Sequence, residues 1–454
     1  MSEHKPLPKL KLLFSADDVI PEGTVRMHHP LYGGEVASID DRVRLPFVLR
    51  KELIEIDSNN QPVRIVEPAV ERVSPRCPHF GTCGGCQYQM ISASEQLTVK
   101  RMILRRLLQD AGVDTSVGSY DFPAHHAEPY HYRNRIRVRI QRSPSGDFHF
   151  GYNVRTTTQF LPITTCPISA PNLIPTIEAL LSLAADPDAA HWLNATAEVE
   201  LFTNHDLSRT QLTLFVAPRT KAPQGSFIRF INALQQKVPH IAGASAAAFD
   251  PRTGPTGRTL AEHGAPGLNY TVGDETYWIS RGGFFQVNRF LIPELVKLVT
   301  TDEHGAPRTG RIAWDLFSGV GLFSRILARH FEHVTAVESN PTAVADLTAA
   351  FKKLGPQHRA VNETTLAFLE KSLTQRDRPD LIVLDPPRAG AGLEACALIA
   401  RLAPPEIVYV SCDPTTLARD LAALQPHYRI DHLHLIDLFP QTFHLETVAI
   451  LRRK

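Results

Sequence analysis

Cysteine, methionine and tryptophan are all scarce here, at six, four and three residues of 454. Six cysteines, three of them within ten positions and the other three scattered, exclude a disulfide framework. An excess of either charge is also missing: 48 basic residues face 47 acidic ones, so any nucleic-acid surface must be a local patch. No apolar run approaches a membrane span, and the one in the opening "MSEHKPLPKLKLLFSADD" is too short for a signal peptide. A soluble cytoplasmic protein without internal repeats is expected. The length exceeds what one core can organise and suggests about two to four domains.

The cysteines that are present fall into a pattern. In "CPHFGTCGGCQYQ", Cys77, Cys83 and Cys86 stand at C-x5-C-x2-C, and Gly84 and Gly85 allow the tight turns that wrapping an inorganic centre demands. Cys166 in "PITTCPIS" is a candidate fourth ligand, since like Cys77 it precedes a proline. Four thiolates without a histidine partner fit a four-iron cluster or structural zinc, with free thiols as the remaining alternative. Cys396, in "GLEACALIARL", falls on a helical apolar face and reads as core.

Three regions follow one another. Residues 1–74 show short strand patterns broken at Gly33-Gly34 and Asp40-Asp41, the mark of a small OB-like β-barrel with mixed charge. Residues 75–275 hold the clustered cysteines, an amphipathic helix in "EQLTVKRMILRRLLQDAG" that could pack on the following domain, and several strand-like segments. One of these, "HYRNRIRVRIQR", alternates Arg133, Arg135, Arg137 and Arg139 with mostly apolar residues. As a strand it would show a guanidinium ladder on one face, either merely solvated or relieved of its repulsion by a phosphate backbone. Tyr130, Tyr132 and Tyr152 could stack on bases or serve as core.

From about residue 276 the pattern becomes strand, glycine-rich turn and helix, as in a Rossmann-like α/β domain running to residue 454. "RIAWDLFSGVGLFSRILARHF" ends a strand at Asp315, turns through Gly319 and Gly321 and enters a helix; "HVTAVES" ends in Glu338. An acid closing the second strand suits ribose hydroxyls, although G-V-G-L-F is not the full dinucleotide fingerprint. "DLIVLDPP" and "EIVYVSCDP" are near-continuous apolar runs, as a parallel sheet buried on both faces requires, and their ends carry Asp385 and Cys412. Pro414 would open a helix capped by Asp413, whose positive end would favour a Cys412 thiolate while Asp413 opposes it. Such a thiolate suits addition to carbon 6 of a pyrimidine, which makes carbon 5 nucleophilic; a base must then remove the carbon 5 proton.

The motifs "CPHFGTCGGCQYQ", "FFQVN", "DLFSGVGLFS", "VESNPTAVADL", "DPPRAG", "VYVSCDPTTLARDL" and "DLFPQTFHLETVAIL" occur in the order found in the RNA 5-methyluridine methyltransferase family, which this chain resembles from about residue 70 onward. The resemblance implies Cys412 as nucleophile, Glu446 as base, Gln286, Phe317, Glu338 and Asp385 as S-adenosylmethionine positions, and Cys77, Cys83, Cys86 and Cys166 as four-iron four-sulfur ligands. It also implies that residues 1–74 correspond to a TRAM domain, as in the 23S ribosomal RNA branch, and that ribosomal RNA is the partner; a monomer is expected. Leu322 departs from the asparagine common in that turn. A transfer RNA substrate, or a non-catalytic RNA-binding factor in ribosome assembly, is the alternative. Retention of both Cys412 and Glu446 speaks against the non-catalytic one. Asp385-Pro386-Pro387 also resembles the exocyclic-amine methyltransferases, but Arg388 stands where they carry an aromatic residue. The cysteine spacing differs from the C-x3-C-x2-C of radical enzymes.

Overall fold

The computed structural model describes residues 23–114, 122–250, 252, 254–374 and 378–454. The expectation for the first 22 residues of the N-terminal region lies outside them. Contacts divide the chain into two compact units, the smaller ending at Arg72 and the larger holding Tyr32–Gly34 and Val73–Lys454.

The smaller unit is an open five-stranded antiparallel sheet, ordered Arg44–Pro46, Glu35–Ser38, Thr24–Pro30, Leu53–Ile56 and Pro62–Glu67. Met27, Leu45 and Ile54 are buried in its core. Its strongest polar anchor is Glu52, fully buried, which accepts from the Arg72 guanidinium at 2.6 and 2.8 Å and from the Leu49 amide at 2.7 Å. A buried carboxylate needs such a set of donors.

In the larger unit, a seven-stranded mixed sheet is covered on one face by the helices Leu173–Leu181, Pro187–Ala195 and Gln224–Lys237. Its strand Arg135–Arg142 sends Ile136, Val138 and Ile140 into that core and its arginines to the opposite face, as the alternation requires. The ladder does not wait for phosphate to relieve its repulsion. The neighbouring strand Thr196–Thr203 runs antiparallel and sets Glu200 and Glu198 against Arg135 and Arg137, the first pair at 3.1 Å. Arg135 also lies 4.3 Å over the Phe202 ring and Arg137 3.9 Å over Phe215. Arg137→Ala is therefore expected to lower stability in denaturant titrations by about 1 kcal/mol, from a partly exposed ion pair and a cation–π contact. The salt slope of RNA binding should stay unchanged. Tyr130 and Tyr132 are likewise core residues rather than stacking platforms, the second fully buried with its hydroxyl on the Pro440 carbonyl at 3.1 Å.

The second sheet of this unit is eight-stranded. Five parallel strands come in the order Arg359–Asn362, Phe331–Glu338, Gly310–Leu316, Leu381–Leu384, Glu406–Ser411, followed by the antiparallel Glu446–Arg453, then Tyr428–Ile436 and Ala124–His125. The strands are apolar throughout because both faces are covered: Ala313, Val383 and Val408 fill one side, Trp314, Ile382 and Tyr409 the other. The helix Ala93–Asp110 contributes Leu104 and Leu108 to the second of these cores. The helix expected after the glycine turn is only Ser324–Leu327, since the chain makes turns through Gly319–Phe323 before a helix can start. Cys396 is buried in a helix, as its pattern implies.

Candidate active site

The parallel strands all end at one edge of the sheet, and the order of the chain reverses between Gly310–Leu316 and Leu381–Leu384, the place where such sheets bind ligands. The residues at that edge are Asp315 and Phe317, Glu338, Asp385 and Cys412. The backbone register adds Glu446. Ser411 pairs with Thr447 across antiparallel strands, so the next residue along one strand, Cys412, faces the preceding residue of the other, Glu446.

The turn after the first strand explains its glycines. Gly321 has φ +83°, and a Cβ there would stand 2.4 Å from Leu347 Cδ1. Phe317 also takes a positive φ, 64°. Leu322, the departure from the family pattern, is buried in the core and uses its carbonyl to accept from the Tyr277 hydroxyl at 2.8 Å. Glu338 reaches back to this turn and accepts from the Gly319 amide at 3.0 Å and the Asn340 amide at 2.7 Å. Gln286, from "FFQVN", donates to Asp385 at 3.4 Å. These four positions, Gln286, Phe317, Glu338 and Asp385, are brought to the same strand-end region.

Asp315 joins them, although the sequence offered it only as a strand-end acid. It is fully buried, accepts from the Ser324 amide at 3.0 Å and from the Ser324 hydroxyl, yet its Oδ1 has no partner among the described residues. Burial raises Asp315 to about 7, and burial together with Asp315 raises Asp385 to about 7. An orphaned acceptor and two high carboxyls buried at one strand-end edge suit a cationic ligand bearing hydrogen-bond donors, which S-adenosylmethionine is.

Cys412 sits just before the helix Pro414–Leu424, whose N-cap is Asp413, accepting from the Thr415 and Thr416 amides at 3.0 and 3.1 Å. The helix end does not win. Burial, then the neighbouring Glu446 and Asp385, push the thiol up to about 12, against a smaller opposing effect of Arg388. Burial likewise pushes Glu446 well above the carboxylate range, with Asp385 adding to it. Three acids in one desolvated site cannot all ionise, so the resting site holds its protons. Arg388 is placed by the helix, since Thr416 donates to the Arg388 carbonyl at 3.0 Å and Arg419 to that of Ala389 at 2.8 Å. Its guanidinium meets the His444 ring at 3.3 Å, and burial with Arg388 lowers His444 to about 4, keeping it neutral. Neither Arg388 nor His444 stood out as a site residue in the sequence; their contact joins segments 56 residues apart.

A second site lies elsewhere in the larger unit. Cys77, Cys83, Cys86 and Cys166 line one cavity of about 390 Å³ together with Arg133 and Tyr152. Among the described residues no three histidine, cysteine or acidic side chains converge closely enough for a single metal ion. The Arg133 Nε is buried without a partner among them.

A parallel sheet with a half-buried acid at the end of its second strand, a glycine turn after its first and an antiparallel final strand defines the S-adenosylmethionine-dependent methyltransferases. Residues 274–454 match the family model described as tRNA (Uracil-5-)-methyltransferase. The chain is 31% identical over 408 residues to the 23S rRNA (uracil(1939)-C(5))-methyltransferase RlmD of Aromatoleum aromaticum, covering 86% of this chain and 88% of that protein. It is 30% identical over 411 residues to the protein of the same name from Dechloromonas aromatica, with 86% and 87% covered. Among solved structures it shares its fold with the Pyrococcus abyssi tRNA (uracil-54, C5)-methyltransferase crystallised with S-adenosyl-L-homocysteine, at a TM-score of 0.71 and 21% identity over 94% of this chain and 99% of that one. The chain belongs to the RNA uracil-C5 methyltransferase family and is an S-adenosylmethionine-dependent enzyme. No described helix is long and apolar enough to cross a membrane.

Proposed function

We propose that this enzyme methylates carbon 5 of a uridine in 23S ribosomal RNA, with Cys412 as nucleophile and Glu446 as base. The observation that carries the chemistry is the register that sets Cys412 against Glu446 at the strand-end edge. S-adenosylmethionine supplies a methyl group on a sulfonium, and Gln286, Phe317, Glu338 and Asp385 would hold it, with Asp315 offering its unpartnered oxygen. The Cys412 thiolate adds to carbon 6, and the electron pair released onto the ring attacks the methyl from carbon 5 as the methyl–sulfonium bond breaks and S-adenosylhomocysteine departs. Glu446 then takes the carbon 5 proton, the carbon–sulfur bond at carbon 6 breaks, and the thiolate is returned. Because the uridine's carbons are stacked in a helix, the base must be flipped out or already lie in a loop.

The ribosomal substrate is supported by the names of the similar proteins. It is tested by offering unmodified 23S ribosomal RNA and transfer RNA to the enzyme and mapping 5-methyluridine in each. Label in ribosomal RNA is expected, and label in transfer RNA alone would transfer the assignment to the alternative substrate. Residues 1–74 are read as a TRAM-like, OB-related RNA module, 75–275 as a central iron–sulfur and RNA-binding domain, and 276–454 as the methyltransferase domain of a cytoplasmic monomer.

The four cysteines would hold a four-iron four-sulfur cluster. The donor set fits: four thiols share a cavity of about 390 Å³, larger than one ion needs, and Arg133 offers a positive charge to a dianionic centre. Protein purified without oxygen is expected to be brown and to carry about four irons per chain. One equivalent of zinc and no iron would overturn the assignment.

A further inference from the structure

Glu446 is the first residue of its strand, and its pairing with Ile436 closes the ladder. A terminal pair opens readily unless the connecting segment is tied down. Here that segment, residues 437–445, is tied to an unusual degree. Four successive backbone carbonyls each accept from outside it: Leu438 from Asn288 at 3.0 Å, Phe439 from Lys100 at 3.1 Å, Pro440 from the Tyr132 hydroxyl at 3.1 Å, and Gln441 from the amides of Gln87 and Tyr88, both at 3.0 Å. Lys100, fully buried on the helix Ala93–Asp110, also pairs with Asp437 at 2.6 Å.

Gln96, one turn earlier on that helix and 1% exposed, holds the centre. Its carbonyl oxygen accepts from the Gln441 amide at 2.9 Å, and its amide donates to the Gln441 side chain at 3.1 Å and to the Tyr88 and Ile91 carbonyls at 3.2 and 3.0 Å. Gln441 needs this support, because it sits at φ +69°, which a non-glycine residue adopts only at a cost. Among the described residues, the side-chain hydrogen bonds of Gln96 run to Tyr88, Ile91 and Gln441 rather than to Cys412 or the cofactor residues, so its influence passes through the segment.

We propose that Gln96 is a positioning residue for Glu446: by clamping Gln441 it fixes the segment that precedes the base and so sets the rate at which the carbon 5 proton is removed. This rests on the reading of Glu446 as base. The addition of Cys412 to carbon 6 comes from another strand end and does not depend on the clamp.

The test compares Gln96→Ala, Gln441→Ala and Glu446→Gln with the parent enzyme, using unmodified RNA and radiolabelled S-adenosylmethionine. In Gln96→Ala, amide hydrogen exchange over residues 438–445 should rise about tenfold or more, with that of Glu406–Ser411 unchanged. The labelled protein–RNA adduct should form at the parental rate and decay about tenfold more slowly, at unchanged S-adenosylmethionine affinity. Gln441→Ala removes only the 3.1 Å side-chain bond and keeps the Gln441 amide on Gln96, so it should slow adduct decay in the same direction by a smaller factor, which covers the case in which Gln96→Ala fails to fold. Adduct decay at the parental rate in a folded variant, or formation and decay slowed in parallel, would overturn the proposal. Normal turnover by Glu446→Gln would instead overturn the assignment of the base.

Discussion

Cys412→Ala is expected to abolish methyl transfer, by about 10⁴-fold or more, and to leave no covalent protein–RNA species under denaturing electrophoresis. The expectation follows from the chemistry of the acceptor, since carbon 5 of uracil becomes nucleophilic only after an addition at carbon 6. No other cysteine can substitute: Cys396 is buried in a helix and the remaining four line a separate cavity. Affinity for S-adenosylmethionine should persist, because Gln286, Phe317, Glu338 and Asp385 are untouched. A labelled, RNA-shifted band from this variant would show that another group is the nucleophile. The raised thiol also fixes a pH dependence. With its value near 12, Cys412 is almost wholly protonated at neutrality, and the thiolate fraction of the resting enzyme rises tenfold per pH unit. Alkylation of Cys412 by iodoacetamide should therefore accelerate about tenfold per unit from pH 7 to 10. A rate that levels off near pH 8 would mean an ordinary thiol.

The sheet was legible for a physical reason. Parallel strands covered on both faces must be continuous apolar runs, and the chemistry of such a sheet gathers where the runs stop, so Asp315, Glu338, Asp385 and Cys412 could be placed by reading along the chain. The cap at Asp413 and the start at Pro414 were equally local and stand as expected. Relations that cross the chain were not legible. Arg135 and Arg137 read as a repelling ladder because Glu200 and Glu198 lie more than sixty residues away, and only the antiparallel register of two strands brings them together. The state of Cys412 failed for a related reason. Its local neighbours are a helix end and one carboxylate, which act in opposite directions, whereas burial and the remote carboxyls of Glu446 and Asp385 decide the outcome. His444 escaped notice, and Arg388 drew it only by standing in place of an aromatic residue, because their contact joins segments 56 residues apart.

Glu446→Gln should fail later than Cys412→Ala. If the carboxylate acts only after the methyl group has arrived, the variant still adds and still transfers, and then stalls with RNA bound through Cys412 and the methyl already on carbon 5. Losing a positioned base slows the elimination by about 10² to 10⁴-fold, so the labelled adduct should accumulate and survive denaturing electrophoresis. Glutamine suits the test because it keeps the shape of a fully buried side chain that burial already holds well above the carboxylate range, so folding should be unharmed. The same burial sets a sign for the parent enzyme. Glu446 must lose its proton before it can accept one, and Cys412 must lose its own before it can add, so the rate at subsaturating RNA should climb with pH and fall as acid fills the two groups. Raising the pH should not rescue decay of the Glu446→Gln adduct, because no ionisable group remains at that position. Rapid collapse of the adduct in this variant, or its absence while Cys412 is intact, would require the proton to leave carbon 5 by another route.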